Sequence, residues 1–586
     1  MASGKENSAT AQPSESKVKI KDVKGFLMSQ LDETVKEEEV SLFRVEGVSA
    51  SKSIFVRHPN MNGGFDIDRL TSAHFRSWLH VNFCGGMNTK RITINNVISS
   101  LEDLAEYDTT LQQTKLFMRV GNYEGKIYLN LCNEEREVVV VDEEGWRTIK
   151  EDEAPVLFVH SRNMKALPFP IPYAEFTASK DMEFQAFDKL RLMVNTSEED
   201  FFCVIGWLIA ALNPSMQCPI LWMSAGKGRG KTTLTNCLKD LIDPDITGAL
   251  APFEKEKDFS IAASSRYIIG LDNFSKLTHK WSNIFCRAVT GEGIVQRKLY
   301  SDDTALDMSL RVPMIINGID FKPARSDLQD RCFPVTLQKL NADKRRTEHE
   351  LEELFEQNHQ LILSALLNAV SSALRNKDYK PRGKNVDVRM LDASLFIMKA
   401  ANAGTLPFSD EKFRDILLSK KSEVDAAEKA KLFDDPLSSI IYDMAVEKAR
   451  NLEAKDAQNI IVWDDATSKL LEEIRERAKK GVKGTLNDIP SSPRAFGRRL
   501  SGEAGNILKA NDISIVRGRS SKQRNTIITF SPSQEDFAQL GEDKNESSNA
   551  DATVDTAQQA TNQASATSAT TSKKSKAAHK KEKAAK

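Results

Sequence analysis

Three observations predict a multidomain α/β fold for this chain. Its 586 residues correspond to three or four domains at about 150 residues each. An apolar, strand-like run, PILWMS (219–224), leads through a glycine-rich loop into the helical pattern TTLTNCLKDLI, an alternation typical of a parallel sheet. Strand-like runs precede this segment, and helical stretches and a basic segment follow it. The sequence therefore predicts a central parallel sheet flanked by further domains.

Composition narrows the class of protein. The net charge is −1 at 28% charged residues, so a nucleic-acid site would have to be a local basic patch. Seven cysteines without a C-x-x-C pair indicate reduced thiols rather than a disulfide framework or a cysteine zinc site. The polar start lacks the apolar core of a signal peptide, and the longest apolar run, Phe201–Leu212, is too short to span a bilayer. We expect a cytoplasmic protein that does not bind membranes.

Composition shifts and three prolines (168, 170 and 172) suggest the domain boundaries. The predicted segments are a disordered start (1–19), an N-terminal α/β domain (20–165), a linker and helical collar (166–215), a central α/β core (216–340), a helical region (341–455), a basic winged-helix-like domain (456–531) and a disordered tail with a basic end (532–586).

The N-terminal domain is predicted to hold a mostly antiparallel sheet. Strand-like runs occur at 115–120, 126–131, 137–141 and 155–159. FDID (65–68) has the spacing of a metal-binding Asp-x-Asp pair, but a glycine pair precedes it instead of a buried strand. We expect a loop before a helix there, and no primase activity.

The stretch SAGKGRGKTTLTNCL (224–238) has the features of a phosphate-binding loop. Its glycines let backbone amides converge on phosphate oxygens, and the helix start adds partial positive charge. Lys231 would reach the terminal phosphates and the Thr232 hydroxyl would ligate Mg²⁺, so the loop predicts ATP and Mg²⁺ as ligands. Ala225 replaces the first glycine of G-x-x-x-x-G-K-T and is small enough to be tolerated. The candidate binding residues are Ala225, Gly226, Lys227, Gly228, Arg229, Gly230, Lys231, Thr232 and Thr233.

A second metal ligand is predicted at the end of the apolar run RYIIGLDN (266–273). Asp272 would hold the cation together with Thr232. The next residue is Asn273, where many ATPases place a glutamate that orients the attacking water. The general base is therefore not assigned. Glu292, in TGEG, is a candidate for this role, and the alternative is that Glu292 is a solvated loop acid.

Further polar residues accompany the next two strand-like runs. Asn317 ends VPMIING (312–318) and would touch the γ-phosphate or the attacking water, or else start a turn before Gly318. Arg325 and Arg331, in ARSDLQDRCFPVTL (324–337), would reach the nucleotide of a neighbouring subunit. A structural salt bridge is the alternative for each arginine, and Arg331 is the favoured candidate.

The segment 480–524 is strongly basic, with ten Lys/Arg against three acids, a net charge of +7. Ser492 and Pro493 begin a helix, and two strand-like runs (513–516 and 526–530) flank the basic stretch RGRSSKQRN. A helix followed by a hairpin with a basic tip is the layout of a winged helix, which binds duplex DNA. A solvated basic face without a ligand is the alternative. The candidate DNA-binding residues are Arg494, Arg498, Arg499, Arg517, Arg519, Lys522 and Arg524.

The order of these motifs resembles a known family. The chain resembles the AAA+ ATPases of bacterial prophages and mobile genetic elements, the phage primase-helicase or superfamily 3-like proteins. The motifs that carry the resemblance are, in order, the phosphate loop, an apolar run ending in DN, TGEG…RKLYSDD, a strand ending in NG, and R-x-D-L-x-D-R. Flanking stretches at 125–170, 389–396 and 492–519 extend the resemblance to about 20–530. It implies a P-loop AAA+ core, a hexameric ring, and a channel hairpin at 296–310 whose Arg297 and Lys298 contact single-stranded DNA. Two exposed basic residues without a ligand are the alternative for that pair.

The leading hypothesis is a DNA-dependent ATPase that forms a homo-oligomeric ring and works as a replicative helicase of a phage or mobile element. One alternative is an ATP-switched DNA-binding initiator or loader with little unwinding, which Asn273 in place of a glutamate favours. Another is a defence ATPase that senses foreign nucleic acid.

Overall fold

The computed structural model describes fourteen stretches of the chain: 40–46, 54–60, 64–83, 91–108, 111–179, 181–275, 277–291, 311–319, 326–339, 346–382, 386–451, 460–480, 486–519 and 524–531. The chain divides into two compact units, Met1–Lys421 and Ser422–Lys586. No helix within the described stretches is long and apolar enough to cross a membrane.

The first unit begins with a four-stranded sheet. Its strands are β1 (Ser41–Val45), β2 (Ile54–Pro59), β3 (Phe65–Arg69) and β4 (Gln113–Thr114), in the order β3-β2-β1-β4. Only the β1–β4 pair is parallel. The helices α1 (Ala73–Phe83) and α2 (Arg91–Tyr107) share one buried apolar cluster with this sheet. FDID therefore lies in β3, and the expectation of a loop is wrong, since Phe65–Arg69 pairs along its whole length with β2.

A second, antiparallel sheet follows, as the sequence predicts. Its strands are β6 (Val120–Tyr123), β7 (Lys126–Asn130), β8 (Glu137–Asp142) and β9 (Gly145–Lys150), and beside it β5 (Leu116–Phe117) pairs with β10 (Leu157–Phe158). The run 115–120 is thus two strands rather than one. The break contains Arg119, whose fully buried guanidinium donates to Asp243 Oδ1 at 3.1 Å and to the carbonyl of Asn130 at 3.2 Å.

Three helices lead to the central sheet. They are α3 (Tyr173–Ala178), α4 (Met182–Arg191) and α5 (Glu198–Ala211). The start of α5 is fixed by Ser197, whose side chain accepts a hydrogen bond from the amide of Asp200. Because every residue from Asp200 to Ala211 is buried, α5 is a core helix under the sheet.

The central sheet is parallel and has the strand order β12-β13-β11-β14. On the far side of β12, Leu250 forms a parallel bridge to Leu271 and occupies a fifth position. The strands are nearly all apolar because helices cover both faces of such a sheet. The elements are β11 (Ile220–Ser224), α6 (Lys231–Asp240), α7 (Glu256–Ala263), β12 (Ile269–Phe274), α8 (His279–Thr290), β13 (Met314–Gly318), α9 (Ser326–Gln329) and β14 (Cys332–Thr336).

Three long helices come next: α10 (Glu348–Arg375), α11 (Leu391–Asn402) and α12 (Asp410–Asp434). A capping box starts α10, because Thr347 accepts from the Glu350 amide while the Glu350 side chain accepts from the Thr347 amide. The helix is 28 residues long and lies in the predicted helical region.

The second unit has its own apolar core and a three-stranded antiparallel sheet in the order β15-β17-β16. Its elements are α13 (Pro436–Asn451), β15 (Ile460–Ala466), α14 (Thr467–Lys480), α15 (Pro493–Leu500), α16 (Glu503–Ala510), β16 (Ile513–Arg519) and β17 (Arg524–Phe530). The sequence predicts one helix before the hairpin, but α16 lies between α15 and β16. The corner between the two helices is tight, since a Cβ on Gly505 would lie 2.0 Å from the carbonyl oxygen of Leu500.

Candidate functional site

The glycine-rich loop lies between β11 and α6, at the carboxyl edge of the central sheet. Gly228 and Gly230 have φ values of +67° and +74°, which side chains with a Cβ rarely adopt. Gly230 is also the N-cap of α6. These two glycines let the backbone turn sharply into the helix, which leaves the first amides of α6 without intrahelical partners and available to an anion.

Lys231 lies across this loop. Its Nζ donates to the carbonyls of Ala225 and Gly226, each at 3.1 Å. The Ala225 side chain is buried, and its amide donates to the carbonyl of Gly318 at 3.3 Å. A methyl group at this position therefore packs into the core, which explains why alanine can replace the first glycine of the motif.

Arg229 and Lys227, also in the loop, differ in their contacts and exposure. The Arg229 guanidinium donates to the carbonyl of Leu337 at 2.9 Å and covers Gly226, where a Cβ would lie 3.2 Å from Arg229 Nε. Arg229 thus ties the loop to the end of β14. Lys227 is exposed.

Thr232 and Asp272 form the candidate metal site. The Thr232 Oγ1 donates to Asp272 Oδ2 at 2.5 Å, so a hydroxyl from the start of α6 meets a half-buried carboxylate at the end of β12. Two adjacent hard oxygen atoms fit Mg²⁺, which takes one or two protein ligands and completes its shell with water and phosphate oxygens.

Asn273 occupies a β-bulge. Its φ is +66°, and the pairing of β12 with β13 shifts register between Leu271 and Phe274. Asparagine tolerates this left-handed conformation better than glutamate does. The backbone of the bulge is a physical reason for asparagine at the position where a glutamate is often found.

Asn317, in β13, connects β12 to α6 through its side-chain hydrogen bonds. Its Oδ1 accepts from the amide of Asn273 at 3.1 Å, and its Nδ2 donates to Thr235 Oγ1 at 2.7 Å. The Thr235 hydroxyl in turn donates to the carbonyl of Lys231 at 2.9 Å. The Asn317 side chain is fully buried. In this conformation it positions the bulge and the first turn of α6, and contact with a γ-phosphate stays a prediction.

Arg331 lies at the other edge of the sheet. The next residue, Cys332, pairs with Ile220 at the start of β11, so Arg331 is a strand length, about 13 Å, from its own phosphate loop. The side chain is buried and donates from Nη1 to the carbonyl of Asp327. It does not complete the site of its own chain, and a role at a neighbour's site stays a prediction. Arg325, Glu292, Arg297 and Lys298 are outside the described residues.

A cavity of about 1140 Å³ adjoins the loop and was not identified from the sequence. It lies between the loop, the segment 191–196 and α10. Apolar side chains line it on two sides, Leu192 and Val194 on one and Leu351 and Phe355 on the other. The helical spacing of Leu351 and Phe355 indicates an apolar face of α10, but that spacing does not indicate that part of the face lines a cavity.

His359 and Asp240 are among the titratable groups of the cavity whose pKa values are shifted. Burial lowers the pKa of His359 to about 4, so this imidazole is neutral at pH 7 and its Nε2–H donates to the carbonyl of Leu241 at 3.2 Å. Burial raises the pKa of Asp240 to about 6 despite nearby Lys239. The lining combines apolar side chains with charged ones, among them Arg191, Arg229 and Glu352.

The second unit carries the predicted basic surface in part. Arg494 and Arg498 are exposed one turn apart on α15. Arg499 instead pairs with Asp435 and donates to the carbonyl of Asp488 at 2.6 Å. Arg517 donates from Nη1 to the carbonyl of Gly497 at 2.6 Å and to Ser501 Oγ at 2.9 Å. In this structure the guanidinium groups of Arg499 and Arg517 hold α15 in place, and contact of either with DNA stays a prediction.

The remaining basic candidates lie at the hairpin of the second unit. Arg519 ends β16 and pairs with Arg524, the first residue of β17. The side chains of both, and the whole of Lys522, are outside the described residues. The backbone alone places this pair at the tip of the hairpin, where the sequence predicts it.

A comparison with protein families finds a match over part of the chain. A model of actinomycete integrative conjugative element replication proteins matches residues 187–411, which include the loop, the central sheet and most of the cavity lining. No curated protein matches the chain.

Solved structures give weak similarities. The NrS-1 C terminal region is 13% identical over 85% of this chain and 97% of its own, with a TM-score of 0.34. The JCV helicase is 13% identical over 42% and 75%, with a TM-score of 0.19, and a putative ATPase from Cytophaga hutchinsonii is 12% identical over 57% and 88%, with a TM-score of 0.20. These values do not establish a shared fold. The family match indicates that residues 187–411 are similar to replication proteins of mobile elements.

Proposed function

We propose that the chain is a DNA-dependent ATPase that acts as a ring-forming replicative helicase of a mobile genetic element. The observation that carries this proposal is the Thr232–Asp272 pair beside Lys231, at the carboxyl edge of a parallel sheet. The strand order β14-β11-β13-β12, with Leu250 beyond it, supports a P-loop AAA+ core. The family match over 187–411 supports a place in replication.

The proposed ligand is ATP with Mg²⁺. The amides of the loop and of the first turn of α6 would hold the phosphates, and Lys231 would exchange the carbonyls of Ala225 and Gly226 for phosphate oxygens. Thr232 and Asp272 would hold the cation, which neutralises charge that develops on the phosphoryl group. The cavity beside Gly228–Gly230, where Leu192 and Phe355 offer apolar surface, would take the base.

A neighbouring subunit would complete the site. Arg331, or Arg325, would supply positive charge in trans, which contributes about 10³–10⁵ in rate in related phosphoryl-transfer enzymes. For Arg331 this requires the side chain to leave the Asp327 carbonyl. A closed ring satisfies every interface of this head-to-tail kind, and six subunits follow from the family resemblance alone.

DNA would bind in two places. Arg494 and Arg498, with Arg519, Lys522 and Arg524 at the hairpin, would contact duplex phosphates. The order α13-β15-α14-α15-α16-β16-β17 with its antiparallel sheet supports a winged helix. Arg297 and Lys298 would contact single-stranded DNA in the channel.

An ATP-switched initiator or loader is the second candidate. Asn273 favours this candidate, because no carboxylate follows Asp272 to orient a water molecule. Hydrolysis would therefore be slow. Strand-displacement activity separates the two candidates.

The experiment that tests the proposed site compares a lysine of the loop with one outside it. Lys231→Ala should lower ATP hydrolysis by about 10²-fold or more, since it removes the cation aimed at the phosphates. Lys257→Ala is the control, because Lys257 is exposed on α7 and does not belong to the loop. Equal turnover in both variants would contradict the assignment.

A further inference from the structure

Three metal-ligating side chains meet in the N-terminal sheet, away from the phosphate loop. His58 belongs to β2, Asp68 to β3, and His74 to the first turn of α1. The Asp68 Oδ2 lies 2.9 Å from His58 Nε2 and 2.6 Å from His74 Nδ1. One atom from each residue falls within a group that spans no more than 4.8 Å.

A neutral His58 cannot donate a hydrogen bond to both of the oxygen atoms that face its two ring nitrogens. Its Nδ1 lies 3.2 Å from the carbonyl oxygen of Pro59, which can only accept, and its Nε2 faces the Asp68 carboxylate. A neutral imidazole has one N–H, so it satisfies one of these oxygens and directs a lone pair at the other. The His58 side chain is 0% exposed. Either a buried imidazolium or a cation between Nε2 and the carboxylate resolves this contact.

The bond to Pro59 suits a metal-ligating histidine. A histidine that ligates a metal almost always donates its other ring N–H to a carbonyl or carboxylate, which fixes the tautomer. With Nδ1–H on the Pro59 carbonyl, the lone pair of Nε2 points at Asp68. The ring is also held by aromatic neighbours, with centroids 4.6 Å away for Trp78 and 5.4 Å away for Phe75.

We propose that His58 Nε2, Asp68 Oδ2 and His74 Nδ1 bind a divalent transition metal of the zinc class. Ligand atoms around a tetrahedral zinc lie about 3.3 Å apart, so the two contacts to Asp68 Oδ2 would each lengthen by less than about 1 Å. The His74 side chain is 48% exposed and that of Asp68 17%, so the site opens to solvent on the His74 side. The fourth position is therefore accessible to water.

The bound metal would link the β2–β3 hairpin to α1. These elements share a small apolar cluster with α2. Because the ligands come from three elements, metal binding would contribute directly to the stability of this part of the chain. The proposal does not depend on the ATPase assignment.

The test uses the full chain, treated with a chelator and dialysed against Zn²⁺ in nucleotide-free buffer. Wild-type protein should retain about one equivalent of zinc, and Co²⁺ should give the visible absorption of a site with nitrogen ligands. His74→Ala should lose the metal and the absorption. His80→Ala is the matched control, because His80 is exposed on the same helix.

A second variant distinguishes the loss of a metal ligand from a folding defect. His74→Gln keeps a side chain that donates to Asp68 but ligates zinc poorly, and it should also lose the metal while its melting temperature no longer responds to Zn²⁺. Wild-type protein that retains no zinc, or His74→Ala that retains as much as wild type, would overturn the proposal. The contacts among the three residues would then be hydrogen bonds of a protonated cluster.

Discussion

Thr232 and Asp272 are forty positions apart in the sequence, and their side-chain oxygens meet at 2.5 Å. The parallel pairing of β11 and β12 with β13 brings the two together, because the carboxyl ends of all three strands lie at one edge of the sheet. The contact joins the phosphate loop to the second strand that the sequence predicts as part of the site. It is the relationship on which the nucleotide assignment depends.

Asp272→Asn should lower ATP turnover by about 10²-fold or more, because the amide keeps the size of the side chain but removes the charge that holds Mg²⁺. Half-saturation by Mg²⁺ should move to higher concentration, while nucleotide binding without metal stays near wild type. Steady-state hydrolysis over a Mg²⁺ series measures both quantities. An unchanged Mg²⁺ dependence would remove Asp272 from the metal site.

Asn317→Ala should lower the free energy of unfolding by about 1–3 kcal/mol, because the Asn273 amide and the Thr235 hydroxyl lose a buried partner. A double-mutant cycle with Thr235→Val measures the coupling by thermal or denaturant unfolding of each variant. Strictly additive effects of the two substitutions would mean that the hydrogen bond between them does not stabilise the protein.

Phe355→Ala should raise KM for ATP several-fold with little change in kcat, because the ring lines the cavity proposed for the base and not the phosphate loop. Gln357→Ala, exposed on the same helix, is the control. Steady-state kinetics with ATP separates the two parameters. A fall in kcat at constant KM would place the base elsewhere.

His359 should make the protein less stable in mild acid. Its folded pKa is about 4 against an ordinary 6.5, so below pH 6.5 the unfolded chain takes up a proton that the folded chain does not. This contribution to stability is present above pH 6.5 and is lost as pH falls toward 4. Asp240, with its pKa raised to about 6, acts with the opposite sign: its contribution is present at low pH and is lost as pH rises from 3.8 to 6.

The measurement for His359 is the melting temperature at pH 7.5 and at pH 5. His359→Gln should lose fewer degrees than wild type between these conditions, since it has no titrating imidazole. A parallel decline in both proteins would contradict the buried neutral state of His359.

Arg494→Ala with Arg498→Ala should weaken duplex DNA binding and reduce the slope of log affinity against log salt by about 2, because each arginine would neutralise one phosphate. Arg499→Ala should lower the melting temperature of the protein, because it breaks the pair with Asp435. Fluorescence anisotropy at several salt concentrations, beside thermal melts, distinguishes the two effects. An unchanged salt slope in the double variant would remove α15 from the DNA surface.

The sequence predicts local features well where residue chemistry is specific. The loop, Lys231, Thr232 and Asp272 follow from glycine spacing and from an acidic residue at the end of an apolar run. The roles of Asn317, Arg499 and Arg517 depend on partners far along the chain, and spacing cannot reveal such partners. The cavity beside α10 and the cluster at His58 likewise need the three-dimensional pairing of separate elements.

The measurement that tests the central claim most directly is ATP turnover by the purified chain at moderate salt, with and without single-stranded DNA, beside Lys231→Ala. A DNA-dependent motor predicts turnover that rises several-fold with DNA in wild type and stays at background in the variant. Wild-type turnover that is slow and indifferent to DNA would contradict the motor and favour the initiator or loader.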